Sequence, residues 1–242
     1  MHRRVFYHDA HAACSGVVQQ NSKAERLNDT PQPGTYMSTL AAVVAMMRPV
    51  NVSLAAVATA LGSWLGGADR PPLSLTMLML AAGCATAFGN VVNDIKDVET
   101  DRISHPDRAL PRGLLTVSTA VSLAIVLAAA SLTAGWFGSP PHALAALLAL
   151  TLLVVYALVL KGTPLLGNLL VALLVAYPLI FGALGSPRLE RLWIPAALAF
   201  LLNATREIVK DLQDIKGDQA AGYRTSGTLA PTVLRRLIGT IS

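Results

Sequence analysis

The stretch that decides the fold is LSLTMLMLAAGCATAFGNVVNDIKDVETD, residues 73–101. Residues 73–93 carry no charged side chain, whereas residues 94–101 are mostly charged. About 20 apolar residues are needed to cross roughly 30 Å of hydrocarbon as a helix, because each residue adds about 1.5 Å. The stretch therefore predicts a membrane-spanning helix that ends in a cluster of carboxylates.

The rest of the chain repeats this apolar character. Its 242 residues are 53% hydrophobic and 14% charged, and the mean hydropathy is +0.53. Soluble domains carry about 25% charged residues, so the bilayer is the predicted solvent. An all-α, multi-spanning bundle of six helices is predicted at about 49–67, 73–93, 114–136, 142–160, 164–183 and 192–209.

The two ends of the chain differ from this core. Residues 1–36 are polar and predict a disordered tail, and 37–242 predict the transmembrane domain. The apolar stretch 38–47 is too short to cross alone, so it either lies along the interface or extends the first span. From 231 onward the sequence resembles the opening of a seventh span, and a C-terminally truncated bundle is expected.

Charge gives the orientation. The net charge is +5, but the basic residues flank the apolar blocks, which favours membrane orientation over a nucleic-acid partner. The segments 94–113 and 210–230 are rich in Lys and Arg and are predicted to be cytoplasmic, in a cell (inner) membrane. The loop 184–191, with Arg188 and Arg191, is an exception.

The carboxylates fall into two motifs that each follow an apolar span. Of the 14 acidic residues, five lie in 94–107 and four in 207–218. Helical spacing predicts a shared face for each set, namely Asn93, Asp97 and Asp101 in the first and Asp211, Asp214 and Asp218 in the second. Because like charges at this spacing repel, a divalent cation is predicted to neutralise them. Hard oxygen ligands suit Mg²⁺, which commonly shares its site with a phosphate group.

Basic side chains accompany both motifs. They are predicted to clamp phosphate oxygens and are Arg108, Arg112, Lys161 (which follows Tyr156), Arg206 and Lys210. The alternative interpretation is that the acidic runs are solvated loops and that each basic residue anchors a helix at the interface.

At this point the sequence resembles the UbiA superfamily of intramembrane prenyltransferases. The resemblance covers Arg48 to about Thr228. It is carried by four elements in the family's order: Arg48-Pro49-Val-Asn51, Asn93-Asp94-x-x-Asp97-x-x-x-Asp101, Tyr156 with Lys161 and Gly167-Asn168, and Asp211-x-x-Asp214-x-x-x-Asp218.

The resemblance implies a helical bundle whose cavity opens to lipid and is capped by the two acidic motifs. It implies that two Mg²⁺ ions and a prenyl diphosphate are bound there, with Asp97, Asp101, Asp211 and Asp214 as the catalytic residues. The predicted metal ligands are Asn93, Asp94, Asp97, Asp101, Asp211, Asp214 and Asp218. The predicted substrate-binding residues are Asn93, Arg108, Arg112, Tyr156, Lys161, Arg206 and Lys210.

Two classes of acceptor are consistent with the sequence. The run 206–218 most resembles enzymes that transfer a geranylgeranyl group to geranylgeranylglyceryl phosphate, and the homogentisate and hydroxybenzoate prenyltransferases are the alternative. The sequence departs from the family at 104–109 and at Gln213, and it offers six of the family's nine spans. An inactive family remnant and a divalent-cation transporter are the rival interpretations.

Overall fold

The computed structural model describes residues 39–161, 163, 165–213, 236 and 239. These residues form helices and connecting turns and include no strand, which confirms the all-α prediction. The helices are α1 (Thr39–Met47), α2 (Pro49–Leu65), α3 (Pro72–Lys96), α4 (Val98–Ser104), α5 (Val117–Gly138), α6 (Pro140–Val155), α7 (Leu166–Ala183) and α8 (Trp193–Gln213). A π-helical turn, Tyr156–Leu160, prolongs α6, and a 3₁₀ turn, Leu189–Leu192, precedes α8. The predicted tail, Asp214, Asp218 and most residues beyond 231 lie outside the described residues.

The predicted spans are present, with one difference in the first. Among the described residues, five helical segments are long and apolar enough to cross a membrane: α3, α5, α6 with its π turn, α7, and α8 with its 3₁₀ turn. The sixth is not one straight helix. Residues 39–65 form α1 and α2, which are long and apolar enough only when taken as a pair and which meet at an angle of 45°.

Proline and hydroxyl residues set where the helices begin. Pro49, Pro72 and Pro140 each occupy the first turn of α2, α3 and α6, where a residue without an N–H group costs no hydrogen bond. At the start of α5 the Thr116 hydroxyl accepts a hydrogen bond from the Thr119 backbone N–H at 3.1 Å, which satisfies one of the unpaired N–H groups of the first turn.

Helix α3 lies at the centre of the bundle and packs against α2, α5 and α6. One buried cluster joins α3 to α5, α6 and α7 through mostly small side chains, which are Leu78, Ala81, Ala82, Ala134, Ala146 and Phe181. On the other side α2 and α7 approach closely, since a Cβ atom at Gly62 or Gly182 would overlap the backbone of Leu179 or Thr59. Small residues allow such backbone contacts between membrane helices.

The two ends of the bundle carry different side chains. All three tryptophans of the chain, Trp64, Trp136 and Trp193, are exposed. They lie at the end where α2 and α5 finish and α8 begins, as aromatic residues do at a membrane interface. The acidic motifs lie at the opposite end. Large apolar side chains such as Leu54 and Leu144 face outward between the ends, which suits a lipid surrounding.

Candidate active site

The first acidic motif lies where α3 ends. Helix α3 ends at Lys96, and Asp97 adopts φ −91° and ψ 0° before α4 starts at Val98. The backbone N–H groups of Asp97 and Asp101 still bond the carbonyl oxygens four residues earlier, at 2.9 and 2.7 Å. The motif therefore keeps the predicted helical spacing across a local break in the helix at Asp97.

Two oxygen atoms of this motif are buried without a hydrogen-bond partner among the described residues. They are Asn93 Oδ1 and Asp97 Oδ1, one helical turn apart on the same face. Burying an oxygen acceptor without a donor is costly, so such atoms call for an explanation. An amide oxygen and a carboxylate oxygen at this spacing are suitable ligands for a hard cation.

The second oxygen of Asp97 accepts a short hydrogen bond from the Lys161 ammonium group. The two side chains are only 16% and 18% exposed. The pair joins the end of α3 to the segment after α6, across 64 residues of sequence. Lys161 thus supplies a positive charge that compensates Asp97.

Asp94 and Asp101 face arginines instead. Arg48 Nη2 lies 2.6 Å from Asp94 Oδ1. Arg108 Nη1 lies 2.6 Å from Asp101 Oδ2 and 3.7 Å from Asp94 Oδ1. Both carboxylates are buried. Each acidic residue of the first motif that is withdrawn from water therefore has a basic neighbour, as a buried charge requires.

Each of the three aspartates of the first motif faces a basic side chain. Asp97 faces Lys161, whereas Asp94 and Asp101 share Arg108. Within the described ranges, no three His, Cys, Asp or Glu side chains are grouped closely enough to hold a metal ion by themselves. The structure brings Asn93 and Asp97 together and leaves Asp101 paired with Arg108.

The π turn places Tyr156 and Lys161. In a regular α-helix, residues five apart point about 140° away from each other. Here the Lys161 N–H bonds the Tyr156 carbonyl at 2.8 Å, the i→i+5 bond of a π turn, which sets Lys161 one turn beyond Tyr156. Gly167 packs against this turn, since a Cβ atom there would lie 2.8 Å from the Leu160 carbonyl oxygen.

The second acidic motif is described only at its first residue. Asp211 Oδ2 accepts a hydrogen bond of 2.8 Å from Asn168 Nδ2 of α7. Glu207, one turn earlier on α8, is buried and lies 2.7 Å from Arg206. Two side chains close in sequence therefore reach the two motifs. Lys161 bonds Asp97 of the first motif, and Asn168 bonds Asp211 of the second.

The remaining predicted basic residues are not brought to the first motif. Arg112 and Lys210 are exposed, and the described part of the chain shows no ion pair between either and a carboxylate. Arg206 is exposed too and pairs with its neighbour Glu207.

The sequence motifs indicated no site role for Arg48, Asn168 or Glu207. The first two stand inside the motifs that carry the family resemblance, and Glu207 lies four residues before Asp211. Their positions in or beside the motifs could have suggested a place in the site. Their partners could not be predicted in the same way, because Arg48 bonds Asp94 and Asn168 bonds Asp211 across more than 40 residues, and helix packing sets such contacts.

Known proteins resemble this chain along most of its length. Residues 53–241 match the model of the UbiA prenyltransferase family. The digeranylgeranylglyceryl phosphate synthase of Pyrococcus abyssi is 40% identical over 187 residues, covering 76% of this chain and 67% of that protein. The enzyme of the same name from Halobacterium salinarum is 41% identical over 196 residues, covering 78% and 69%.

A solved structure has the same fold. The UbiA homologue from Archaeoglobus fulgidus, bound to DMAPP and Mg²⁺, superimposes with a TM-score of 0.66 at 22% identity. The superposition covers 82% of this chain and 73% of that one. This agreement confirms the predicted class of helical membrane bundle.

Proposed function

The chain belongs to the UbiA prenyltransferase family, and from this premise we propose that it transfers a prenyl group from a prenyl diphosphate to geranylgeranylglyceryl phosphate with the help of Mg²⁺. The observation that carries the proposal is the pair of buried oxygens, Asn93 Oδ1 and Asp97 Oδ1, which have no hydrogen-bond donor among the described residues. Lys161 and Arg108 stand beside the same motif. Oxygen ligands next to cationic side chains suit a metal-bound diphosphate.

Asn93 and Asp97 would hold Mg²⁺, with Asp101 and the second motif completing the ligand set when the ligand is bound. Bound there, the ion would supply charge stabilisation for the departing diphosphate. Asp211 is already oriented by Asn168. Asp214 and Asp218, which continue that motif, are proposed as ligands from the sequence.

Lys161 and Arg108 would stabilise the leaving group. In the structure each is bonded to a carboxylate, Lys161 to Asp97 and Arg108 to Asp101. With substrate bound, Lys161 and Arg108 would donate hydrogen bonds to the diphosphate, and Asp97 and Asp101 would face the metal ion instead. Each charged group would then exchange one oppositely charged partner for another. Preoriented donors of this kind act where charge develops during the reaction.

The membrane location suits this chemistry. Apolar helices accommodate the prenyl chain of the donor and exclude the water that would otherwise react at the allylic carbon. We place the reacting end at the cytoplasmic face of the cell membrane, because loop 94–113 carries Lys96, Arg102, Arg108 and Arg112. The tryptophans mark the other interface.

The acceptor is proposed from the relatives. The two similar enzymes are named as digeranylgeranylglyceryl phosphate synthases, at 40% and 41% identity. An aromatic acceptor of quinone biosynthesis is the alternative.

The test is transfer from radiolabelled geranylgeranyl diphosphate by the full chain in lipid, with geranylgeranylglyceryl phosphate and aromatic acids offered separately. Asp97→Asn is the inactive variant. Glu99→Gln is its matched control, because Glu99 lies in the same motif but is 79% exposed and pairs with the exposed Arg102.

Mg²⁺-dependent product with the glyceryl phosphate, present in the control and absent in Asp97→Asn, supports the proposal. Product formed only with an aromatic acid would show that the acceptor is aromatic and not geranylgeranylglyceryl phosphate. Mg²⁺-dependent binding of the diphosphate without transfer would indicate an inactive member, and absence of binding would refute the proposed site.

A further inference from the structure

Arg48 occupies an unusual backbone position at the bend between α1 and α2. Its φ of 56° and ψ of 73° are left-handed values that non-glycine residues seldom adopt. Pro49 follows, and the residue before a proline is hindered from the right-handed helical region. Helix α1 therefore ends at Met47, and the chain turns by 45° before α2.

Two contacts fasten this bend to the site end of α3. The Asn90 side chain donates a hydrogen bond of 2.9 Å to the Met47 carbonyl oxygen. One turn further along α3, Asp94 Oδ1 accepts a hydrogen bond of 2.6 Å from Arg48 Nη2. Asn90 thus binds the backbone of the bend, and Asp94, four residues later on α3, binds the side chain of Arg48.

Asp94 holds a second arginine at the same oxygen. Arg108 Nη1 lies 3.7 Å from Asp94 Oδ1 and 2.6 Å from Asp101 Oδ2. The four side chains form a row in which Arg48, Asp94, Arg108 and Asp101 alternate in charge. The Asp94 side chain is 9% exposed, whereas those of Arg48 and Arg108 are 36% and 33% exposed.

Asp94 differs in this respect from its neighbours in the motif. Asn93 and Asp97 each keep a buried oxygen that has no partner among the described residues, whereas Asp94 Oδ1 is shared by two guanidinium groups. Each guanidinium has five N–H donors and uses few of them here, so both retain donors at this end of the bundle.

We propose that Asp94 is a positioning residue and not a metal ligand: it holds Arg48 and Arg108 side by side, so that both guanidinium groups bind the diphosphate next to Asn93 and Asp97. This inference rests on the proposed function. Arg48 thereby becomes a diphosphate-binding residue, and the bend between α1 and α2 serves to bring it to the site. Two fixed guanidinium groups give the planar, directional donors that phosphate recognition needs.

The experiment separates metal binding from diphosphate binding. Mn²⁺ binding to the full chain in lipid nanodiscs is followed by electron paramagnetic resonance, and inorganic pyrophosphate binding in the presence of Mn²⁺ by calorimetry. We compare wild type with Asp94→Asn and with Asp97→Asn. We expect Asp94→Asn to keep the Mn²⁺ affinity of wild type within about twofold and to weaken pyrophosphate binding about tenfold, because oriented charge-assisted contacts are lost. Asp97→Asn should lose Mn²⁺ itself.

Arg48→Gln provides a second variant, since it leaves Asp94 paired with Arg108 and keeps the proposal testable if Asp94→Asn does not fold. It should weaken pyrophosphate binding without changing Mn²⁺ affinity. In turnover both variants should raise KM for the prenyl diphosphate more than they lower kcat, and Asp94→Glu should recover part of the loss. A purely structural role would lower thermal stability and leave the pyrophosphate affinity of the folded protein unchanged.

Loss of Mn²⁺ binding in Asp94→Asn, parallel to Asp97→Asn, would overturn the inference by making Asp94 a ligand. Unchanged pyrophosphate affinity in both Asp94→Asn and Arg48→Gln would overturn it as well. If wild type binds neither Mn²⁺ nor pyrophosphate, the proposed function itself fails, and that result is distinct from either of the other two.

Discussion

Replacing Lys161 by methionine tests whether a metal ion takes over the compensation of Asp97. Methionine keeps much of the length and apolar surface of the lysine stem and removes only its charge. Asp97 Oδ1 has no partner among the described residues, and in Lys161→Met the other oxygen, Oδ2, would lose the Lys161 ammonium group. Lys161→Met therefore leaves a poorly solvated carboxylate without a counterion.

The size of the effect follows from the burial of the pair. Removing one partner of a buried ion pair costs about 3–5 kcal/mol, and an exposed pair contributes about 0–1 kcal/mol. With side chains 18% and 16% exposed, this pair lies between the two limits, and a loss of about 2–3 kcal/mol is expected. For a chain of this size, that corresponds to a fall in Tm of roughly 4–12 °C.

The assay is thermal unfolding in detergent, with chelator and with saturating Mg²⁺. A ligand at about 100 times its Kd stabilises the native state by about 2.7 kcal/mol. In Lys161→Met the metal does not compete with an ammonium group for Asp97, so it should bind more tightly than in wild type. We therefore expect a large Tm difference in chelator and a much smaller one in Mg²⁺.

Lys96→Met is the matched control, because Lys96 precedes Asp97 directly but is exposed. It should change Tm by little under either condition. An equal loss in Lys161→Met with and without Mg²⁺ would show that the metal does not replace the lysine at Asp97, and the reasoning would be refuted.

Three further substitutions test other contacts. Gly182→Ala places a Cβ atom against the Thr59 backbone and should lower the free energy of unfolding by about 1–3 kcal/mol, measured by thermal denaturation. Asn168→Ala removes the amide donor to Asp211 and should weaken Mg²⁺-pyrophosphate binding roughly 10- to 100-fold by calorimetry, since a hydrogen bond to a charged group contributes about 1.5–3 kcal/mol. Arg108→Lys keeps the charge but loses the planar fork, so KM for the prenyl diphosphate should rise by a similar factor in the transfer assay.

Each of these substitutions has a counterpart elsewhere in the chain. In Gly83→Ala the new Cβ atom would lie 3.2 Å from the Val52 side chain and 3.8 Å from the Val52 carbonyl oxygen, so this substitution should cost less than Gly182→Ala, where the Thr59 carbonyl oxygen is 1.9 Å away. Asn203→Ala removes an amide whose bond stays within its own helix, and Arg102→Lys alters an exposed pair, so neither should change ligand affinity. Equal effects of a substitution and its counterpart would contradict the assigned contact.

Several features of the molecule were predictable from local sequence. The length of each apolar block relative to the bilayer thickness indicated the helices, and five of six predicted spans appear as single segments. The acidic motifs were expected at helix ends on the same side of the membrane. Asp97 and Asp211 do lie at helix ends at the same end of the bundle. Hydropathy and helical spacing are properties of neighbouring residues, so they can be read without knowing the packing.

Other features depended on local geometry that composition does not encode. The bend at Arg48 needed both a proline and an anchor on α3, and the break of the helix at Asp97 leaves the motif's spacing unchanged. The π turn is a further case. Tyr156 and Lys161 are five residues apart, and nothing in that spacing predicts the i→i+5 hydrogen bond that joins their backbones.

The sequence by itself thus determined the solvent, the helices, the family and the end of the bundle where charge collects, since each depends on composition or on short-range order. Only the tertiary structure decided which carboxylate faces which cation. Asp97 meets Lys161 across 64 residues, Asp94 meets Arg48 across 46, and Asp211 meets Asn168 across 43. These partners are selected by how tightly and at what angle the helices pack, and the same arrangement leaves Asn93 and Asp97 with the oxygens that have no donor.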